Sequence, residues 1–182
     1  MKMIKDLIAS YSLKTEFAAR RDKLYRIAFS WCHDPALADD LVQETIYKAI
    51  KNASTLRDLA TLDSWIYRIL YNCWHDHLRV KDRHVEFVEM RDTKQLDHSE
   101  HYQQSQIVRR VRASVEQLPL PLREVVTLAD FAGFSYAQIA EITGTPVGTV
   151  MSRLFRARQN LKQQLLALGA DDKADFKLRR VK

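Results

Sequence analysis

Four side chains near the carboxyl end of the chain have types and spacings suited to contacting nucleic acid. They are Thr149, Ser152, Arg153 and Arg156, which share one face of a helix because of their three- and four-residue separations. Guanidinium groups contact guanine edges or phosphates, and hydroxyls reach phosphates or bases. Arg158 follows at a position better suited to the phosphate backbone. Residues 145–170 contain four basic residues and no acid.

The sequence around this basic face predicts a helix-turn-helix between Ser135 and Leu161. Ser135 is a good N-cap for a short helix through Thr143. Gly144 follows at the C-cap, where the left-handed backbone conformation favours a residue without a Cβ. A second helix restarts at Thr145 and Pro146. Its buried stripe is Val150, Leu154, Ala157 and Leu161. An ordinary helical hairpin with a solvated basic face is the alternative, and the combination of signals favours DNA binding.

A second charged group has the opposite sign and lies in the first third of the chain. Residues 34–47 contain four acids and neither Lys nor Arg. Asp40, Gln43 and Glu44 fall on one side of the helix predicted there. The segregation of acidic and basic groups indicates two different partners.

A cysteine and histidine cluster raises the alternative of an enzyme or a metal site. Cys73 and His77 share a helical face at four-residue spacing, but His75 points away from both. No arrangement supplies four clear zinc ligands, and no Gly-rich phosphate loop or nucleophile motif occurs. Core cysteines and surface histidines are the favoured interpretation. We therefore predict a non-catalytic protein without a cofactor or metal.

Composition favours a helical protein with a polyanionic partner. The 182 residues include only four Gly and four Pro, and the formal charge is +6. We find no apolar run long enough for a membrane span and no signal-peptide pattern, and the presence of only two cysteines argues against a disulfide framework. The expectation is a cytoplasmic protein without membrane insertion.

The apolar pattern predicts two small all-α domains joined by a linker. In residues 1–83, a first amphipathic helix is followed by one that begins at Asp34-Pro35 and ends near Asn52, and by a third over about Ser64–Arg79. A loop with some helical content lies between the last two. Residues 84–107 read as a polar linker, residues 108–170 as the helix-turn-helix domain, with a further helix over Leu122–Phe131, and residues 171–182 as a charged tail.

The two halves together resemble a bacterial RNA polymerase sigma factor of the extracytoplasmic-function (ECF) class, within the main sigma family. The resemblance covers roughly residues 16–168, in the family's order. In the N-terminal half the matching segments are DP (34–35), DDLVQET (39–45), WIYRI (65–69), Asn72 and DHL (76–78). In the C-terminal half they are LP (118–119), REV (123–125), SYAQIA (135–140), VGTV (147–150), SRL (152–154) and RAR (156–158).

The resemblance implies a role for each charged surface. Asp40, Gln43 and Glu44 match the family's contact with the coiled coil of the polymerase β′ subunit; the β subunit is a further expected contact. The N-terminal half would open the minus-ten promoter element and capture an unstacked base. The C-terminal half would read the minus-thirty-five element. An anti-sigma factor that covers these surfaces is expected as a regulator.

On the third helix Arg68, Asn72, His75 and Arg79 share a face suited to promoter DNA. The aromatic stripe, defined as Tyr67, Tyr71 and Trp74, fits either a core or a base-stacking surface. Two positions depart from the family: the loop at residues 54–58 lacks a common Phe, and Met151 replaces a common basic residue.

A conventional helix-turn-helix repressor with an N-terminal sensing or dimerisation domain is the rival hypothesis. It accounts for the C-terminal half equally well. It leaves the acidic face and the WIYRI segment at residues 65–69 without a role.

Overall fold

The computed structural model describes residues 2–56, 58–84 and 106–167, and every regular element within these ranges is helical. The all-α expectation is confirmed. Short 3₁₀ turns cover Ala53–Thr55 and Leu59–Thr61, and a π-helical turn covers Thr127–Phe131. The helices are α1 (Lys2–Cys32), α2 (Pro35–Lys51), α3 (Leu62–His84), α4 (Gln106–Glu116), α5 (Leu120–Val126), α6 (Tyr136–Thr143) and α7 (Val147–Ala167).

The junction between α1 and α2 is built by two adjacent residues. His33 adopts a left-handed conformation with φ 54°, and its backbone N–H donates to the Phe29 carbonyl at 2.9 Å. The Asp34 carboxylate then accepts from the backbone N–H groups of Ala36 and Leu37 at 2.9 and 3.1 Å. With Pro35 at the first helical position, this is the N-cap that the sequence predicts.

Helix α3 is longer at both ends than the predicted Ser64–Arg79. The 3₁₀ turn before it, capped by the Asp58 carboxylate, leads directly into the helix at Leu62. At the other end the residues after Arg79 include no Gly or Pro, so nothing local stops the helix before His84. The loop between α2 and α3 does contain the helical turns that the sequence predicts.

The predicted Leu122–Phe131 helix is two elements in the structure. It begins two residues earlier, at Leu120, because Pro121 is favourable in a first turn. From Thr127 the helix widens into the π turn, where the Ala132 N–H donates to the Thr127 carbonyl at 3.0 Å. Most of the predicted linker and the whole predicted tail lie outside the described residues.

Helices α1–α3 and α4–α7 pack directly against each other. Apolar side chains from both halves form one buried cluster, to which α1 and α3 contribute Trp31 and Tyr67 and the C-terminal half contributes Phe134. The Phe134 ring meets the Tyr67 ring edge-to-face, with 4.9 Å between centroids. No helix within the described ranges is both long and apolar enough to cross a membrane.

Candidate nucleic-acid interface

The helix-turn-helix is fixed by local hydrogen bonds at its first helix. Ser135 and Gln138 form a capping box: the Gln138 N–H donates to Ser135 Oγ at 3.3 Å, and the Ser135 N–H donates to Gln138 Oε1 at 3.0 Å. Helix α6 ends at Gly144, whose φ is 65°. The Thr145 N–H then donates to the Ala140 carbonyl at 3.2 Å, which sets the tight turn into α7.

Helix α7 separates into the two faces that the spacing predicts. Val150, Leu154, Ala157 and Leu161 are buried. Ser152 and Arg156 are exposed on the other side, whereas Thr149 and Arg153 are partly covered. The Arg156 Nε donates to the Ser152 carbonyl at 3.3 Å, so its guanidinium lies along the outer face of the helix. This face can enter a DNA major groove with its N-terminal residues leading.

Arg158 differs from the rest of the predicted DNA-contacting group. Its guanidinium donates to both carboxylate oxygens of Asp130, at 2.6 and 3.3 Å, and both side chains are largely buried. The hydrogen bond that Arg158 donates to Asp130 raises the pKa of Arg158 above its ordinary value. The pair joins α7 to the π turn. Sequence spacing could not reveal it, because the partners are 28 positions apart.

Helix α7 also carries an exposed apolar stripe that the sequence analysis does not predict, although it notes one member, Met151. Val147, Met151 and Phe155 follow one another at four-residue spacing, and they are 42, 52 and 65% exposed. They flank the polar outer face of the same helix. Apolar side chains in a major groove contact thymine methyl groups, so the stripe is compatible with a DNA-facing surface.

On α3, three of the predicted DNA-contacting residues are exposed. Arg68, Asn72 and Arg79 face solvent, and Arg79 also bonds the Asp76 carboxylate. His75 turns toward the C-terminal half instead, where its Nε2 lies 3.0 Å from the Glu124 carboxylate.

The aromatic stripe on α3 is core in this arrangement. Tyr67 and Trp74 are buried and Tyr71 is half-buried, all beneath the C-terminal half or α1. Burial raises the pKa of Tyr67 to about 12. Trp65 is partly buried against the N-terminal core, with its ring stacked 6.3 Å from that of Phe17.

The acidic face of α2 is exposed. Asp40, Gln43 and Glu44 all lie on the solvent side of the helix, as their spacing predicts. Glu44 accepts from Lys48 at 2.8 Å, one turn further along. Surface pairing of this kind contributes little to stability, so the carboxylates remain available to a basic partner.

Neither cysteine has the setting of a reactive thiol. Burial raises the pKa of both the Cys32 and the Cys73 thiols, which disfavours the thiolate. Within the described part of the chain, no group of three or more Cys, His, Asp and Glu is placed to hold a metal ion.

Two family models match the chain in order. Sigma-70 region 2 matches residues 17–84, and Sigma-70 region 4 matches residues 109–161. The ECF RNA polymerase sigma factor EcfG of Rhodopseudomonas palustris is 34% identical over 88% of this chain and 89% of its own length. The chain belongs to the ECF sigma factors. Another relative of this sigma factor is Bacillus subtilis SigV, at 31% identity over 84% of this chain and 90% of its own.

Two solved structures are similar to this chain in fold. The sigma factor RpoE of Bartonella quintana, solved with the anti-sigma factor NepR, is 28% identical to this sigma factor and has a TM-score of 0.73. The similarity covers 85% of this chain and 97% of that one. CnrH, solved with the cytosolic domain of CnrY, shares the fold with a TM-score of 0.59 at 22% identity.

Proposed function

We propose that this alternative sigma factor binds core RNA polymerase through the acidic face of α2. Asp40, Gln43 and Glu44 are the residues that contact the β′ coiled coil, and the β subunit supplies a further contact. Their exposure on one helix face supports the proposal. Long-range attraction to a basic surface would accelerate association and weaken with salt.

The two halves then read two promoter elements. Residues 1–83 form the domain for the minus-ten element, with Arg68, Asn72 and Arg79 toward the DNA. Residues 108–170 form the domain for the minus-thirty-five element, with Thr149, Ser152, Arg153 and Arg156 on the readout face and Arg158 close to it. The observation that carries this assignment is the capped helix-turn-helix that presents the acid-free α7. Residues 84–107 connect the domains, and residues 171–182 are a charged tail.

Control by an anti-sigma factor is part of the proposal. Its support is that RpoE, which is similar to this chain in sequence and fold, was solved in complex with the anti-sigma factor NepR. The protein acts in the cytoplasm as a regulator without enzymatic activity, cofactor or metal.

Run-off transcription with purified core polymerase tests the proposal. Transcripts from genomic fragments should appear only when the protein is added, and their start sites would define the promoter. Asp40→Lys should abolish them by removing polymerase binding, whereas Glu141→Lys, an exposed charge reversal on α6, should not. A protein that binds duplex DNA but never core polymerase would support the repressor hypothesis instead.

A further inference from the structure

The exposed apolar stripe of α7 consists of Val147, Met151 and Phe155, which occupy the first three turns of the helix. Its members are 42, 52 and 65% exposed, so a large part of their apolar surface is in contact with water. Contiguous exposed apolar side chains mark binding surfaces, whereas isolated ones need no explanation. The stripe therefore indicates a surface that is covered when the protein acts.

The outward face of α7 has two sides of different polarity. Ser152 and Arg156 each follow a member of the stripe by one position, so the polar row lies about 100° around the helix from the apolar row. Both rows point away from the buried side chains of Val150 and Leu154. A single major groove can therefore meet hydroxyl and cationic groups on one side of the helix and apolar groups on the other.

On the apolar side of α7, the basic residue nearest to Met151 is already paired. Arg158 follows Met151 by seven positions, which is nearly two turns, and so it lies on the same side of the helix. Its guanidinium donates to both carboxylate oxygens of Asp130, at 2.6 and 3.3 Å. The next basic residue on this side, Lys162, is a further turn away. The surface around Met151 is thus apolar, and the apolar group that a major groove offers is the thymine methyl.

Met151 is the member of the stripe that is best placed to reach a base. A recognition helix enters the groove with its N-terminal residues leading, and Met151 lies in the second turn of α7. Helical side chains lean over the turn that precedes them, so Phe155 covers the turn that contains Met151. Phe155 would then keep water from a contact that Met151 makes. The unbranched, polarisable Met side chain adapts readily to a small apolar group.

We propose that Met151 is a specificity-determining residue, whose side chain contacts the C5-methyl group of a thymine in the minus-thirty-five element. The inference rests on the proposed function, because that function places α7 in promoter DNA. The contact selects thymine, since no other base carries this methyl group in the major groove. Removing one methyl group from water contributes about fourfold to affinity, which sets the size of the expected preference.

Deoxyuridine isolates this contact, because it pairs as thymine does but carries hydrogen in place of the methyl group. Each thymine in the minus-thirty-five element of a promoter found by run-off transcription is replaced in turn, on either strand. Binding of the full chain together with core polymerase is then measured. We expect one position at which the replacement weakens binding of the wild type about fourfold. In Met151→Ala the same replacement should have no effect, so that the two changes are coupled in a double-mutant cycle.

Met151→Arg should change which base is preferred at the same base pair. Arginine forms bidentate hydrogen bonds with O6 and N7 of guanine, so this variant should lose the preference for thymine and gain one for guanine. Leu166→Arg is the matched control, because it adds the same charge to α7 at an apolar position that is 59% exposed. That position lies about 22 Å along the helix from Met151, and the base preferences of the control should equal those of the wild type.

Equal binding to the thymine and uracil duplexes at every position, or an element without thymine, would overturn the assignment of Met151. Unchanged base preferences in Met151→Arg would overturn it as well, and this is the result expected if the stripe binds a protein partner rather than DNA. These outcomes leave the proposed function intact, since the wild type still recognises its promoter. A wild type that binds no DNA sequence selectively would contradict the proposed function itself, and the methyl contact with it.

Discussion

His33 combines an unusual backbone conformation with an unfavourable electrostatic setting. Its φ of 54° ends α1, its Nε2 has no hydrogen-bond partner among the described residues, and its ring lies near Arg123. Burial, followed by the positive charge of Arg123, lowers the pKa of His33; Glu116, whose carboxylate lies 4.0 Å from Nδ1, opposes this. The folded protein thus disfavours the protonated form of this imidazole.

A pH dependence of stability follows from His33. Below pH about 6.5 the unfolded chain binds a proton at this histidine that the folded protein resists, so the free energy of unfolding falls as the pH decreases. His33→Asn keeps a residue that tolerates the left-handed region and removes the titration. Denaturant unfolding between pH 7 and 5 should show a shallower decline for the variant. An equal decline of the free energy of unfolding in both proteins would contradict the assignment of this pH dependence to His33.

Substitutions of Arg158 and Arg156 on α7 should affect different properties, the first stability and the second promoter binding. Arg158→Ala breaks the bonds to Asp130 and should lower the free energy of unfolding by ~2 kcal/mol. Arg156→Ala, at an exposed position, should leave stability within about 0.5 kcal/mol and weaken promoter binding by about 1–3 kcal/mol at fixed salt. Denaturant titration and DNA-binding isotherms on both variants give the comparison. The reverse pattern would place Arg158 on the readout face and Arg156 in the scaffold.

At the scale of helices and turns, Gly144 and Gly148 make a matched pair. A Cβ added to either would meet no atom within 4 Å, but only Gly144 has a left-handed φ, at 65°. Gly144→Ala should therefore cost about 1–2 kcal/mol of stability through backbone strain alone. Gly148→Ala should be neutral or slightly stabilising, because alanine is the better helix former. Thermal unfolding measures both, and equal losses would show that the turn does not depend on the left-handed residue.

Local signals were sufficient to predict most elements. The Asp34-Pro35 start, the Ser135 cap and the Gly144 turn are chemical rules that act within four residues, and each is confirmed. The π turn was missed because its apolar residues fit a regular helical pattern equally well. The ends of α3 were misplaced because no capping or breaking residue marks them.

In the candidate sites too, local spacing predicts some features, whereas others depend on tertiary packing. The exposed and buried faces of α7 follow from periodicity, and so does the acidic face of α2. The pairing of Arg158 with Asp130 and of His75 with Glu124 depends on tertiary packing between distant positions, which no spacing rule encodes. The aromatic stripe was ambiguous for the same reason: its burial requires the other half of the molecule.

On the scale of the whole molecule, the shared apolar cluster should make the two halves unfold together. Phe134 is 6% exposed and packs against Tyr67 across the boundary. Phe134→Ala should uncouple the halves, so that calorimetry resolves two transitions in place of one. Phe155→Ala, at a 65% exposed position on the same half, is the control and should leave a single transition. One transition in both variants would contradict coupling through this contact.

Because the surfaces that pack the two halves together belong to one polypeptide, any separation of the halves is unimolecular. Dilution does not shift it, and neither does overproduction. An inhibitor that binds as a separate protein can be titrated away when its target becomes more abundant, whereas the packed halves cannot. Packing of the halves against each other would therefore scale the response to gene dosage by a constant factor without adding a threshold. Any sharp threshold in promoter output would have to come from a second protein.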